Sequence, residues 1–418
     1  VNTRKMFNNP LQVLSRPDFR YYWIGFCISV IGTWMQRIAQ PWLAYEMTDS
    51  PFLLSIVGVA QTAPVFVLCL FSGVIVDRFP KKLILLITQS VAFVVTLVMA
   101  VLIWADVIQY WHIVAGALIL GITNSIDMPA RQSFYIELVE KELLVNAIAL
   151  CSSAFNIARI IGPLIAGLIM VYTTTGICFF ANALSYALMF ICLLMIHPRP
   201  VHRKKNKQRE TMFSQIYAGL QHIRENQILS VTMLGVGIVG IFAFNFTVLL
   251  PVLVKTIFHA DARNFSYLMS FMGVGSFCGA LIVASTGKDG PKAYTQTVIP
   301  FLLGCTLFFT GMLNHMYLLC GIMMISGLLT VLFSSSANSM VQLHLSEEFR
   351  GRVMSIYILV FNGASAIGNF VAGVVMAHYD AQVAYMICGG AVVVLMAGVQ
   401  LLRRRIFSPV QWIKTGQK

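Results

Sequence analysis

Long apolar runs alternate with short polar interruptions along the whole chain. A helix that crosses a bilayer needs about 20 mostly apolar residues. By that measure the pattern predicts twelve spans, near 20–46, 52–76, 82–105, 110–130, 144–171, 176–196, 227–254, 265–286, 294–313, 316–343, 352–377 and 382–403. The first run is too long for a signal-peptide core and lacks a cleavage pattern, so it is expected to stay as a span.

The longest polar segment, from His197 to about Glu210, separates the spans six and six. The two halves repeat. FNIARIIGPLIAG (155–167) aligns with FNGASAIGNFVAG (361–373), an offset of 206 residues with seven of thirteen positions identical. Gly73 and Gly279 share that offset. The expected fold is an all-α membrane protein with two pseudo-symmetric six-helix bundles. Its divisions are an N-terminal bundle over 1–197, a basic cytoplasmic linker over 198–222 and a C-terminal bundle over 223–418. A parallel repeat of this kind is characteristic of transporters whose halves rock around a central site.

Composition agrees with the pattern. The chain is 58% hydrophobic and 11% charged, whereas soluble domains carry about 25% charged residues. The net charge of +13 sits in short clusters between apolar runs, such as RFPKK (78–82), HRKKNKQRE (202–210) and LRRR (402–405). That distribution marks cytoplasmic loops. It places both termini and the central linker in the cytoplasm, with only Lys255 and Arg263 in the opposite loops. No basic face with interleaved aromatic platforms points to nucleic acid. The nine cysteines lie almost all inside apolar runs and none has C-x-x-C spacing, so small buried hydrophobes are expected. No nucleophile–base pair, metal-ligand cluster or phosphate-binding G-x-x-x-x-G-K-[ST] loop is present, so neither an enzyme nor a cofactor is expected. His259, His315 and His378 stand singly.

Several stretches resemble the major facilitator superfamily. GVIVDRFPKK (73–82) is similar to that family's loop between spans two and three: Gly73, Asp77, Arg78 and Lys82 match, Lys81 is a like-charge substitution, and Pro80 replaces a glycine. ARIIGPLIAG (158–167) resembles its exporter-associated span-five signature in Gly162, Pro163 and Gly167, with Ala158 and Ala166 where glycines are usual. YEMTDSP (45–51), DMPARQSF (127–134) and EEFRGRVMSIY (347–357) resemble the branch of enterobactin-type siderophore exporters and related efflux proteins. The resemblance implies transport without specifying a substrate. It also implies that Asp77 meets the start of span eleven near Gly351 to Met354, capping free N–H groups there. Arg131 is a candidate partner for Asp77. Such contacts form a latch between the halves, or else an ordinary interfacial salt bridge. Gly73, Asp77, Arg78, Arg131, Gly162 and Pro163 are the gating candidates.

Polar residues at spacings of three and four put stripes on several spans: Thr33, Gln36, Arg37 and Gln40; Ser152, Asn156 and Arg159; Ser335, Asn338, Ser339 and Gln342; and the asparagines Asn245, Asn362 and Asn369. Such faces turn from lipid toward the bundle or a watery cavity. Trp34, Phe244 and Phe246 can supply flat walls. Arg37 is the most conspicuous member, because a charge at mid-membrane costs about 2.5–3.5 kcal/mol on insertion scales. Neither Asp127 nor Glu46 stands four residues from Arg37 or Arg159. If the arginines lack carboxylate partners, the cavity favours a carboxylate, catecholate or phosphate held by bidentate hydrogen bonds. Alternatively Asp127 pairs with Arg159, and Arg37 is structural glue bonded to carbonyls or glutamines. Asp127, then Glu46, then His344 are the proton-coupling candidates, although Asp127 can equally be an N-cap before Pro129.

The reading is a monomeric proton-coupled exporter of amphipathic, anionic siderophore-like molecules in a bacterial cytoplasmic membrane. Its rivals are efflux of neutral or cationic drugs, uptake of a ferric siderophore or nutrient, and a non-transporting membrane sensor or lipid-handling protein.

Overall fold

A computed structural model describes residues 10–198, 212–285, 295–345 and 349–406. Among them the chain is helical, with no strand. After a 3-10 turn at Pro10–Ser15 come α1 (Pro17–Thr48), α2 (Pro51–Arg78), α3 (Lys81–Trp104), α4 (Tyr110–Leu138), α5 (Lys141–Tyr172) and α6 (Thr175–Met195). Then follow α7 (Met212–Glu225), α8 (Gln227–Phe242), α9 (Phe246–Thr256), α10 (Ala262–Ser285), α11 (Thr295–Thr310), α12 (Met316–Leu343), α13 (Arg350–His378) and α14 (Ala381–Ile406). Ten segments are long and apolar enough to cross a membrane, counting α8 and α9 as one. α1, interrupted by charged and polar residues, and the shorter α11 lie outside that set.

Sequence chemistry explains the tight turn between α1 and α2. Asp49 ends α1 in the left-handed region at φ 45°, Ser50 accepts the Leu53 N–H through its side chain at 3.3 Å, and Pro51 opens α2 where its missing donor does no harm. Three details differ from the sequence expectations. First, α4 runs unbroken through Pro129, so Asp127 is an interior residue and not an N-cap. Second, the segment expected to be a linker contains the amphipathic helix α7, which packs on α13. Third, span seven is two helices: Asn245 returns its amide to the Ile241 carbonyl at 2.6 Å, and the chain restarts at Phe246. An asparagine side chain that bonds its own backbone competes with the helix ladder. Non-helical backbone at membrane depth must be buried in protein or line a watery cavity, and Ala243, Asn245 and Phe246 are all buried.

The chain divides into two compact units, Val1–Lys205 with His259–Gly273, and Asn206–Phe258 with Val274–Lys418. In the first, α1 packs on α5 and α6, α3 on α4 and α6, and α2 on α4. In the second, α8 packs on α13 and α14, and α11 on α12 and α14. The repeated segments do the same work in each. A side chain at Gly162 would begin 2.5 Å from the Trp34 Cβ of α1. One at Gly368, the aligned position, would strike the Ile241 carbonyl of α8.

Polarity runs inside out. Along α3, Ile87, Val91, Val94, Val98 and Val101 are exposed, while Thr88, Gln89 and Thr96 are buried. An apolar stripe facing outward over a polar interior is what a lipid environment selects.

Candidate functional site

α1 and α5 cross closely at Gly162, and that crossing builds the most distinctive charge arrangement in the first unit. Trp34 is buried there, its ring edge-on to Phe155 at 5.7 Å and 70°. The Arg37 Cζ stands 4.9 Å from the centroid of the indole. The Arg159 Cζ stands 5.5 Å from the same centroid. The two cations are therefore no more than about 10 Å apart, about one screening length at moderate salt. Among the described residues neither has an ion-pair partner; the carboxylates of Asp127 and Glu140 are paired with Arg131 and Arg16. The ring face offers each arginine about 0.5–2 kcal/mol of cation–π attraction. Their N–H forks remain as donors. Both side chains are only half-buried, and both lie at least about 16 Å along their helices from the nearer end. Asn156 is half-buried one turn before Arg159 and donates to the Ser152 carbonyl at 2.9 Å. The arrangement can grip an anion against a flat apolar wall.

Gln36 and Gln40 do not share that face. Both are buried, and Gln36 is a hub: it donates to Gln40 Oε1 at 3.2 Å and accepts from Asn182 Nδ2 at 2.5 Å and from Thr96 Oγ1 at 3.5 Å. These bonds tie α1 to α3 and α6. The expected stripe on α1 thus splits, because a step of one residue turns a helix by about 100°, enough to carry Arg37 away from Gln36. Thr33 binds its own helix at Ser29 and meets the Tyr186 hydroxyl at 3.3 Å.

Asp127 is also committed. It accepts Thr88 Oγ1 at 2.7 Å and Gln89 Nε2 at 2.9 Å, and its second oxygen forms an ion pair with Arg131 one turn along α4. It does not pair with Arg159. Arg131 in turn is held by Asp127 rather than Asp77, since an i, i+4 pair on one helix needs no other element to bring it together. Asp77 and Arg78 are exposed at the end of α2, and Glu46 is exposed near the end of α1. Nothing stands within 4 Å of where a side chain on Gly73 would begin. Pro163 is buried on α5 beside Gly162.

In the second unit Ser335, Asn338 and Ser339 are half-buried and Gln342 is exposed; Gln342 donates to Asn338 at 2.8 Å. Asn362 is half-buried and bonds back to Ile358. Asn245 is buried at the helix break, so it is better placed to shape α8 and α9 than to meet solute. Phe244 at that break packs on Phe361 at 5.5 Å, which stacks on Tyr357 at 6.2 Å. Phe246 is buried in the core. The residues that sequence reasoning missed are Thr88, Gln89 and Asn182, which look like ordinary span polar residues until their partners are known. The i, i+4 spacing of Asp127 and Arg131 was a visible signal for that pair.

A helical membrane chain with an internal repeat and an inward polar surface defines a transporter class. The family described as transmembrane secretion effector matches residues 8–410, and the chain belongs to it, as a major facilitator superfamily transporter. It is similar to the staphyloferrin A transporter of Staphylococcus aureus, 26% identical, with 85% of this chain and 88% of that protein covered. An enterobactin exporter of Shigella boydii is 23% identical, with 89% and 88% covered. Macrolide efflux protein A of Streptococcus pyogenes is 21% identical, with 84% and 87% covered. Among solved structures, the bacterial homolog of the human lysosomal transporter Spinster shares the fold at a TM-score of 0.70 and 11% identity, covering 94% of this chain and 98% of that one.

Proposed function

We propose that this protein exports small amphipathic organic anions, siderophore-like in bearing carboxylate or catecholate groups, across a bacterial cytoplasmic membrane. Transport is secondary, by alternating access of two six-helix bundles (1–197 and 223–418, twelve spans in all), and is coupled to protons. Both termini face the cytoplasm, as the basic loops suggest, and the working unit is a monomer. The exposed Asp77–Arg78 end of α2 belongs to the gate.

One observation carries the choice of cargo: Arg37 and Arg159 flank Trp34 with no carboxylate partner among the described residues. Two unneutralised guanidinium groups repel a cation and reward an anion that bridges their N–H forks. The siderophore-linked relatives support the same cargo chemistry, and the enterobactin exporter supports the direction.

The test compares extracellular metabolites of a deletion strain carrying wild-type protein, Arg37→Ala or Arg37→Lys, with membrane insertion checked for each. An anionic metabolite exported by wild type and lost with both variants supports the reading. Normal export by Arg37→Ala would remove its main support.

A further inference from the structure

Beside the arginines of the first unit, the direction of one hydrogen bond decides what kind of anion fits. Thr33 lies one turn before Arg37 on α1, and residues four apart are neighbours on a helix surface. A threonine hydroxyl has a single proton to donate. That of Thr33 goes to the Ser29 carbonyl at 2.8 Å. The same Thr33 Oγ1 stands 3.3 Å from the Tyr186 hydroxyl of α6. With the threonine proton spent on the shorter contact, Tyr186 is the donor across the longer one. The phenol proton therefore points at Thr33. The phenol oxygen keeps its capacity to accept, and no other hydrogen bond engages it among the described residues. Thr33, Arg37, Arg159 and Tyr186 are all half-buried, and Tyr186 lies within electrostatic reach of the Arg37 guanidinium.

Arginine has donors and no acceptor. A plain carboxylate satisfies the N–H forks of Arg37 and Arg159 and leaves the Tyr186 oxygen unmet. An anion with a hydroxyl beside its carboxylate satisfies both. Its carboxylate oxygens accept from the guanidinium groups, and its hydroxyl donates to the Tyr186 oxygen. A site built to bond a ligand hydroxyl discriminates against the analogue that lacks it, because the site's own polar group is then left unpaired. In the reverse arrangement Thr33 donates to Tyr186, and Tyr186 turns its proton to the carboxylate. That arrangement gives up the 2.8 Å bond to Ser29, and it favours no hydroxyl on the ligand.

We propose that Tyr186, oriented by Thr33 as a hydrogen-bond acceptor, is a specificity-determining residue that selects anions bearing a hydroxyl beside the carboxylate: hydroxycarboxylates and ortho-hydroxylated aromatic acids. This rests on the anion reading above and adds to it the requirement for a donor on the ligand. Thr33 is a positioning residue, since it acts through Tyr186.

Calorimetric titration of the purified protein in detergent tests it with two pairs of probes: citrate against tricarballylate, which lacks only the hydroxyl, and 2,3-dihydroxybenzoate against benzoate. Wild type is expected to bind the hydroxylated member of at least one pair about fivefold or more tightly than its analogue, as one net hydrogen bond allows. Tyr186→Phe keeps the ring and removes the acceptor. It is expected to weaken the hydroxylated ligand to the level of the analogue and to leave the analogue unchanged. Thr33→Val frees the Tyr186 proton to turn to the carboxylate, so the analogue binds more tightly and the preference shrinks, which a loss of packing alone does not produce. If Tyr186→Phe does not fold, the preference measured in Thr33→Val carries the test. Equal affinities within both pairs in wild type, or a preference that survives Tyr186→Phe, overturns the proposal and leaves the anion reading standing. So does an equal loss of both ligands in Tyr186→Phe, which would make Tyr186 a donor to the carboxylate. Binding of none of the four probes overturns the anion reading and this proposal with it.

Discussion

Arg37 and Gln36 are neighbours in sequence with different surroundings. Gln36 joins Gln40, Thr96 and Asn182 inside the bundle, so Gln36→Leu leaves Asn182 without its acceptor and is expected to cost about 1–3 kcal/mol of stability. Thermal unfolding in detergent would show a lower midpoint, and anion binding by the surviving folded protein would be unchanged. Arg37→Gln should do the reverse: the midpoint stays or rises, since an unpaired half-buried charge has been removed, while binding falls at least tenfold, equivalent to about 1.4 kcal/mol. A loss of binding in Gln36→Leu as large as in Arg37→Gln would put both residues back on one functional face. The sequence stripe could not separate them. Polarity and spacing identify a face only to within one helical step, and the partners that decide between burial and solvent lie on other helices.

At the scale of elements, most helices were legible because a span is a length of apolar chain, and length survives without tertiary information. The broken span seven was not, because no proline or glycine marks Ala243–Asn245; the break falls where the Asn245 side chain bonds to Ile241, a bond that Asn156 and Asn362 also make inside unbroken helices. Asn245→Leu removes that competitor and is predicted to join α8 and α9 into a longer helix. Spin-label distances between positions in α8 and α9 would change by several ångströms, and an unchanged distance would assign the break to other packing. The glycines of α2 and α5 also diverge. A side chain at Gly167 would begin 2.5 Å from the Ser266 Cβ of α10, whereas Gly73 has open space. Gly167→Ala is therefore expected to lower the unfolding midpoint by a few degrees, and Gly73→Ala to leave it unchanged or raise it, since alanine favours a helix by about 1 kcal/mol. Equal effects at the two sites would deny that α5 needs its small face for close packing.

At the scale of the whole molecule, the internal repeat was readable because it preserves the positions where helices cross: Gly162 against α1 and Gly368 against α8. What the repeat does not preserve is charge. Asp127, Arg131, Arg37 and Arg159 all belong to the first half, and the aligned positions 333, 337, 243 and 365 are Phe333, Ala337, Ala243 and Ser365. An asymmetric charge set on a repeated scaffold puts the arginines of the proposed anion site in one half. The central claim is that the two arginines on Trp34 take an anion. It is tested most directly by calorimetric titration of citrate, 2,3-dihydroxybenzoate and the cation tetraphenylphosphonium into wild-type protein, Arg37→Gln, Arg159→Gln and the double variant. The account predicts that at least one anion binds wild type, that each single substitution weakens it at least tenfold, and that the double variant shows no binding. Tetraphenylphosphonium binding wild type more tightly than either anion, or anion affinity unchanged in the double variant, would contradict it.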